Sequence, residues 1–97
     1  MLHDAALVLD GADNVAVALT EIGPDASFRL STGETMQARE QIPFAHKVAT
    51  GPIAAGGPVV KYGVPIAFAT RAIEAGAWVH GHNSKSYFVA QREARDR

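Results

Sequence analysis

Turn-forming residues recur so often along this chain that no stretch is left for a long helix. Asp10-Gly11-Ala12-Asp13, Ile22-Gly23-Pro24-Asp25 and Ser31-Thr32-Gly33-Glu34 each interrupt the pattern, and Gly56, Gly57, Pro58, Gly63 and Pro65 do so again downstream. Between such breaks only short β-leaning runs fit. Ala5 to Leu9 and Asn14 to Leu19 flank the first Asp/Gly connection and are expected to form a hairpin. In the second run Val15, Val17 and Leu19 take one face by period-two alternation, while Ala16 and Ala18 leave the other open to close approach by a second segment. Ser27 to Leu30 is expected as a short strand, Thr35 to Ile42 alternates weakly, and Ser86 to Val89 is read as a final strand. One short helix is expected over Ala67 to Ala75, where Phe68, Ala69, Ala72 and Ile73 fall at helical spacings between Pro65 and Gly76.

An internal echo accompanies these turns. Ile53-Ala54-Ala55-Gly56-Gly57-Pro58-Val59 and Ile73-Glu74-Ala75-Gly76-Ala77-Trp78-Val79 both spell Ile-x-Ala-Gly-x-x-Val. Each copy buries an Ile, turns at a Gly and starts a strand at Val, so the repeat reads as a folding device.

The 97 residues suit one domain. An apolar content of 47%, a charged content of 20% and a net charge of -1 describe a globular chain with no basic surface for a nucleic acid. Cysteine is absent, which excludes disulfides, thiolate metal sites and thiol nucleophiles. The longest mostly apolar stretch, Pro52 to Ala69, is broken by Gly, Pro and Lys, and no basic segment followed by an apolar core opens the chain. A cytoplasmic protein without a membrane segment is the expectation. The tail ending Gln91-Arg92-Glu93-Ala94-Arg95-Asp96-Arg97 mixes charges without apolar periodicity and reads as a solvated end.

Three segments mix ionisable side chains with strand-like neighbours: Ile42 to Ala49, Val60 to Gly63, and Trp78 to Asn83. In an extended segment His80 and His82 point to the same side, with Gly81 leaving room for a ligand between them. Two imidazoles can share a divalent cation if other ligands come from elsewhere, although a His-x-His pair read alone is more often a surface or structural feature. His46 beside Lys47 has an equally plain reading, as a turn histidine bonding backbone groups next to a solvated lysine. Lys61 can attract a carboxylate, Tyr62 is read as a core or interface residue, and Phe44, Phe68 and Trp78 are read as packing residues. His3 carries no signal.

Taken in order, Asn14-Val15-Ala16-Val17-Ala18-Leu19, Ile42-Pro43-Phe44-Ala45-His46-Lys47-Val48-Ala49, Ile53-x-x-Gly56, Lys61-Tyr62-Gly63-Val64-Pro65-Ile66, Ala69-Thr70 and Val79-His80-Gly81-His82-Asn83 resemble the SAF-type domain of the altronate and galactarate dehydratase family. The resemblance runs from about residue 12 to residue 83. It implies a mainly β, compact β-clip (SAF-like) fold with one short helix, residues 1–83 forming that domain and residues 84–97 a C-terminal strand and charged tail. It further implies the small subunit of a lyase, inactive alone, that dehydrates a sugar acid to a 2-keto-3-deoxy acid with a large dehydratase subunit as partner. The α-proton is removed and the β-hydroxyl expelled, with Fe(2+) or Mn(2+) shared with the large subunit. On this reading His80 and His82 contact metal or substrate oxygens, Asn83 contacts substrate or orients one histidine, and His46 and Lys47 face the substrate carboxylate, with Lys61 as a further substrate contact. The same residues suit the α subunit of a sulfolactate sulfo-lyase, and a SAF domain can also be a non-catalytic carbohydrate- or protein-binding module. A homo-oligomer is compatible with any of these. The family usually carries Gly where this chain has Ala45, and commonly at Ala67. If Ala45 needs positive φ, its methyl group costs about 1 kcal/mol.

Overall fold

The computed structural model describes residues 4–95. His3 and the last two residues of the tail lie outside them. Nine strands and one helix follow in the order β1 (Asp4–Leu7), β2 (Val15–Ala18), β3 (Ser27–Leu30), β4 (Thr35–Gln37), β5 (Lys47–Ala49), β6 (Pro58–Lys61), β7 (Val64–Ala69), β8 (Trp78–Val79), β9 (Ser84–Ser86) and α1 (Tyr87–Arg95). The fold is mainly β. Six strands form one sheet in the order β4-β3-β1-β2-β5-β8, and β6-β7-β9 form a second. The hairpin expected around Asp10 to Asp13 is present, with Ala6 opposite Ala18 and Leu7 opposite Val17.

Two apolar clusters form, the first from the larger sheet and its connections and the second shared between the two sheets. Ala6, Ala16, Ala18, Ile22, Phe28, Leu30, Ala38, Ile42 and Val48 make the first. Val15, Ala49, Ile53, Val59, Ala67, Ala69, Ile73 and Val79 make the second. Alternation along β2 and β5 explains the division: Ala16 lies opposite Val48 and both face the first cluster, whereas Val15 lies opposite Ala49 and both face the second. The small Ala16 and Ala18 leave room on that face, as the sequence suggested. Asn14 stitches the two sheets together: its side-chain oxygen accepts from the Val60 N–H at 2.8 Å and its amide donates to the Pro58 carbonyl at 2.8 Å. Asp13 likewise accepts from the N–H groups of Tyr62 and Gly63.

The echo seen in the sequence is half of a larger one. Ile53 and Ile73 bond each other reciprocally, each N–H to the other's carbonyl at 2.8 Å, and Ile22 and Ile42 form the same exchange at 3.0 and 2.9 Å. Three residues after each Ile, the backbone enters the left-handed region: Asp25 (φ 63°), Ala45 (φ 69°), Gly56 (φ 80°) and Gly76 (φ 87°). The N–H of each of these residues donates to a buried alanine carbonyl, of Ala38, Ala18, Ala69 and Ala49 respectively. Each alanine N–H returns a bond to the next residue of the turn. The repeat therefore has four copies, two of them without glycine at the left-handed position, and Ala45 does sit at positive φ.

Three expectations are corrected. The stretch Ala67 to Ala75 is not helical: its first residues belong to β7, with Ala67 and Ala69 buried and Phe68 on the other side, 5.7 Å from the Tyr87 ring. Ile73 then bridges to Ile53, so the helical spacing of apolar residues arose across two extended segments. The one helix among the described residues lies instead at Tyr87–Arg95, where a strand from Ser86 to Val89 was expected, and the end it forms is solvated as expected. Ser86 caps it, its hydroxyl accepting from the Val89 N–H at 3.0 Å, and Arg92 and Arg95 fall in its last turn, where cations suit the helix dipole. None of its residues is buried, so its sequence carries no core-facing stripe. Finally, Tyr62 and Phe44 are 67% and 65% exposed, which removes Tyr62 from the core and Phe44 from the packing residues.

Candidate functional site

Trp78 stands on β8, an edge strand of the larger sheet, opposite Val48 of β5. By alternation it shares a face with Val48 and packs against the first apolar cluster. Three imidazoles gather around its indole. The His80 ring stacks on it with centroids 5.1 Å apart and planes at 10°, His82 lies tilted at 5.2 Å, and His46 meets it edge-on at 5.6 Å. The His46 and His80 rings are 5.0 Å apart. The indole Nε1–H donates to His46 Nδ1 at 3.2 Å.

The segment carrying the histidine pair is a turn, not an extended strand. The Asn83 and Ser84 N–H groups both donate to the His80 carbonyl, at 3.2 and 3.0 Å. The side chain of Asn83 closes this turn from inside: its oxygen accepts from the His80 N–H at 3.0 Å and its amide donates to the Trp78 carbonyl at 2.9 Å. Asn83 is only 4% exposed. Its polar atoms are thus engaged with the backbone that presents His80 and His82, both exposed.

His46 and Lys47, expected to face one carboxylate, emerge on opposite faces. Lys47 lies opposite Val17 and Val79, on the side of the second cluster, while His46 reaches Trp78 on the side of the first. Neighbouring residues of an extended strand must diverge in this way. Lys47 is half-buried, and burial first, then the nearby Lys61 ammonium, hold its pKa below the ordinary lysine value. Neither lysine takes part in an ion pair among the described residues. The six candidate residues therefore divide into an imidazole–indole cluster braced by Asn83 and a separate pair of cations.

Residues outside the expected set complete the first of these. Trp78 is its hub rather than a packing residue alone, and its own N–H donates to the Glu40 carboxylate at 3.2 Å. A shallow groove beside His82 and Asn83 is lined by Arg39, Glu40, Arg71 and Glu74. Arg39 is paired with Glu74 at 2.6 Å, whereas Arg71 takes part in no ion pair among the described residues. Neither Glu40 nor Arg71 stood in a motif, so only the fold could bring them to the histidines. For a metal ion the donor set is incomplete: among the described residues no group of three or more His, Asp or Glu side chains comes together to hold one.

The sequence model of the altronate/galactarate dehydratase SAF domain matches residues 4–87, and the chain belongs to that family. It is 39% identical over 74 residues to the altronate dehydratase of Escherichia coli (strain K12), a match covering 76% of this chain and 15% of that protein. The galactarate dehydratase (L-threo-forming) of the same organism is 40% identical over 67 residues, 69% of this chain and 12% of that protein. The altronate dehydratase of Bacillus subtilis (strain 168) is 34% identical over 74 residues, again 76% and 15%. The chain thus spans only a small part of the length of these relatives. No helix among the described residues is long and apolar enough to cross a membrane.

Proposed function

We propose that this chain is the small subunit of a cytoplasmic sugar-acid dehydratase of the altronate or galactarate type, working with a separate larger polypeptide and inactive alone. The observation that carries this reading is the convergence of His46, His80 and His82 on Trp78 at a sheet edge, in a chain whose relatives are dehydratases several times its length. An imidazole cluster on an open edge, with no enclosing wall of its own, suits a half-site that a second polypeptide completes.

Dehydration of a sugar acid requires removal of a weakly acidic proton α to a carboxylate and departure of the β-hydroxyl, giving an enol that becomes a 2-keto-3-deoxy acid. Hydrogen-bond donors aimed at the carboxylate oxygens stabilise the charge that develops there, and a proton donor helps the hydroxyl leave. On this reading His46, His80 and His82 supply such groups from one face, and Arg71 in the adjacent groove offers a guanidinium to a substrate carboxylate. Lys47 and Lys61 form a separate cationic patch that draws acidic groups of substrate or partner to the opposite face. Fe(2+) or Mn(2+), the metals the resemblance implies, would take most of their ligands from the larger polypeptide, since His80 and His82 alone cannot close a site.

Co-expression with a larger dehydratase polypeptide, followed by assay on altronate, galactarate and sulfolactate, tests the reading. Formation of a keto-deoxy acid by the pair, lost when His80 and His82 become Ala, is the expected result. Sulfite release from sulfolactate in place of dehydration would move the chain to the sulfo-lyases. A stable complex silent on every acid would make it a binding module.

A further inference from the structure

We propose that Trp78 is a positioning residue that locks His46 in one neutral tautomer, so that this face offers an N–H donor to an anionic ligand oxygen rather than a base. The indole has one polar hydrogen and no acceptor. Its Nε1–H lies 3.2 Å from His46 Nδ1, so Nδ1 must present its lone pair and the proton of the neutral ring must sit on Nε2. A histidine so bound cannot accept a substrate proton at Nδ1, whose lone pair is engaged, or at Nε2, which already carries hydrogen.

Trp78 is held through both its backbone and its ring, which fixes where the indole N–H points. The Trp78 backbone N–H donates to Glu40 at 3.2 Å, its carbonyl accepts from Asn83 at 2.9 Å, and its ring is covered by the stacked His80 at 5.1 Å. His46 Nε2, in contrast, has no hydrogen-bond partner among the described residues and is not among their fully buried unpaired atoms. Its N–H is therefore not sealed from solvent and has no competing partner among the described residues. A donor fixed before the ligand arrives suits an oxyanion, either a carboxylate or the enediolate formed from it, because no reorganisation accompanies binding. The nature of the ligand rests on the dehydratase reading above, whereas the tautomer rests on this chain alone.

Long-range ¹H–¹⁵N NMR of the full chain, uniformly ¹⁵N-labelled so that both histidine and indole nitrogens are observed, tests the lock directly. It is recorded at about pH 9, well above the ordinary histidine range, and the His46 signals are assigned by their loss in His46→Gln. The expected wild-type spectrum shows Nε2 protonated and Nδ1 bare, with a scalar coupling between Nδ1 and the indole Nε1, whose resonance is unique because the chain has a single Trp. In Trp78→Phe the coupling is lost and the two ring nitrogens move towards averaged positions as both tautomers become populated. A wild-type His46 protonated on Nδ1, or signals unchanged in Trp78→Phe, would overturn the proposal. The wild-type spectrum decides the matter even if the Phe variant folds poorly. Failure of the dehydratase assay leaves this result untouched, so the two readings fail separately.

Discussion

Replacing Ala45 with glycine should stabilise the chain, which is uncommon for a mutation that deletes a side-chain atom. Ala45 adopts φ 69° and is exposed, so its methyl group strains the backbone and packs against no core. An L-residue in the left-handed region is disfavoured by about 1–2 kcal/mol. Glycine removes that strain but adds unfolded-state entropy worth about 0.4–1 kcal/mol, leaving a net gain of roughly 0.8 kcal/mol. The bond from the Ala45 N–H to the Ala18 carbonyl, at 2.8 Å, is a backbone contact and survives the change. For a domain of this size the gain corresponds to a rise in Tm of about 3–6 °C. The fourfold repeat supplies the reciprocal control. Gly56 occupies the equivalent position at φ 80°, and a Cβ there meets no atom within 4 Å, so Gly56→Ala should lose the same amount that Ala45→Gly gains. Gly76→Ala should be worse than either, because its Cβ would lie 2.3 Å from the Gln37 carbonyl oxygen, adding about 1–3 kcal/mol of overpacking to the conformational term. Urea and thermal denaturation followed by circular dichroism read all three. If Ala45→Gly is destabilising while Gly56→Ala is neutral, the equivalence of these turns is wrong.

Other perturbations follow from the same geometry. Asn83→Ala strands the His80 N–H and the Trp78 carbonyl and should cost about 2–3 kcal/mol in chemical denaturation. In a reconstituted enzyme it should also weaken activity while His80 and His82 remain in place. Lys47 makes the stability depend on pH: its folded pKa is lowered, first by burial and then by Lys61, so the fold disfavours its charged form. That penalty is full below the lowered value and disappears as pH rises through the lowered value to the unfolded one. Lys47→Met should therefore raise the urea midpoint at pH 7, with the advantage over wild type shrinking as pH approaches about 10. Phe44→Ser and Tyr62→Ser should change stability by less than about 0.5 kcal/mol, because both rings stand in solvent.

The parts of this fold legible in the sequence were those fixed by local chemistry. The Asp10 to Asp13 connection and the strand Ser27–Leu30 follow from turn residues next to β-formers, and both are where the pattern puts them. The repeat was half visible, because Gly56 and Gly76 advertise left-handed backbone whereas Asp25 and Ala45 adopt it without the glycine signal. The misplaced helix has a similar cause. Apolar residues of β7 and the Ile73 bridge happen to fall three and four apart, while the true helix, held at its start by Ser86 and by Tyr87 against Phe68, buries nothing and so shows no stripe.

The candidate site divides along the same line. His46, His80 and His82 were marked by motif and do converge, but on an indole read as packing. Alternation into β5 separates His46 from Lys47, although as a motif the two read as one unit. The contributions of Asn14, whose partners lie 44 and 46 residues away, and of Glu40, 38 residues from Trp78, depend on strand pairing that no local pattern encodes.

On the function proposed above, the imidazole–indole cluster is the face this chain presents to a larger dehydratase polypeptide and its acid substrate. Titrating that polypeptide into ¹⁵N-labelled chain while following the indole N–H of the single Trp78 tests it most directly. This resonance and those of His46, His80 and His82 should shift or broaden on complex formation, and change again on addition of altronate or galactarate. A complex whose perturbations fall on α1 or elsewhere, with Trp78 unmoved, would contradict it.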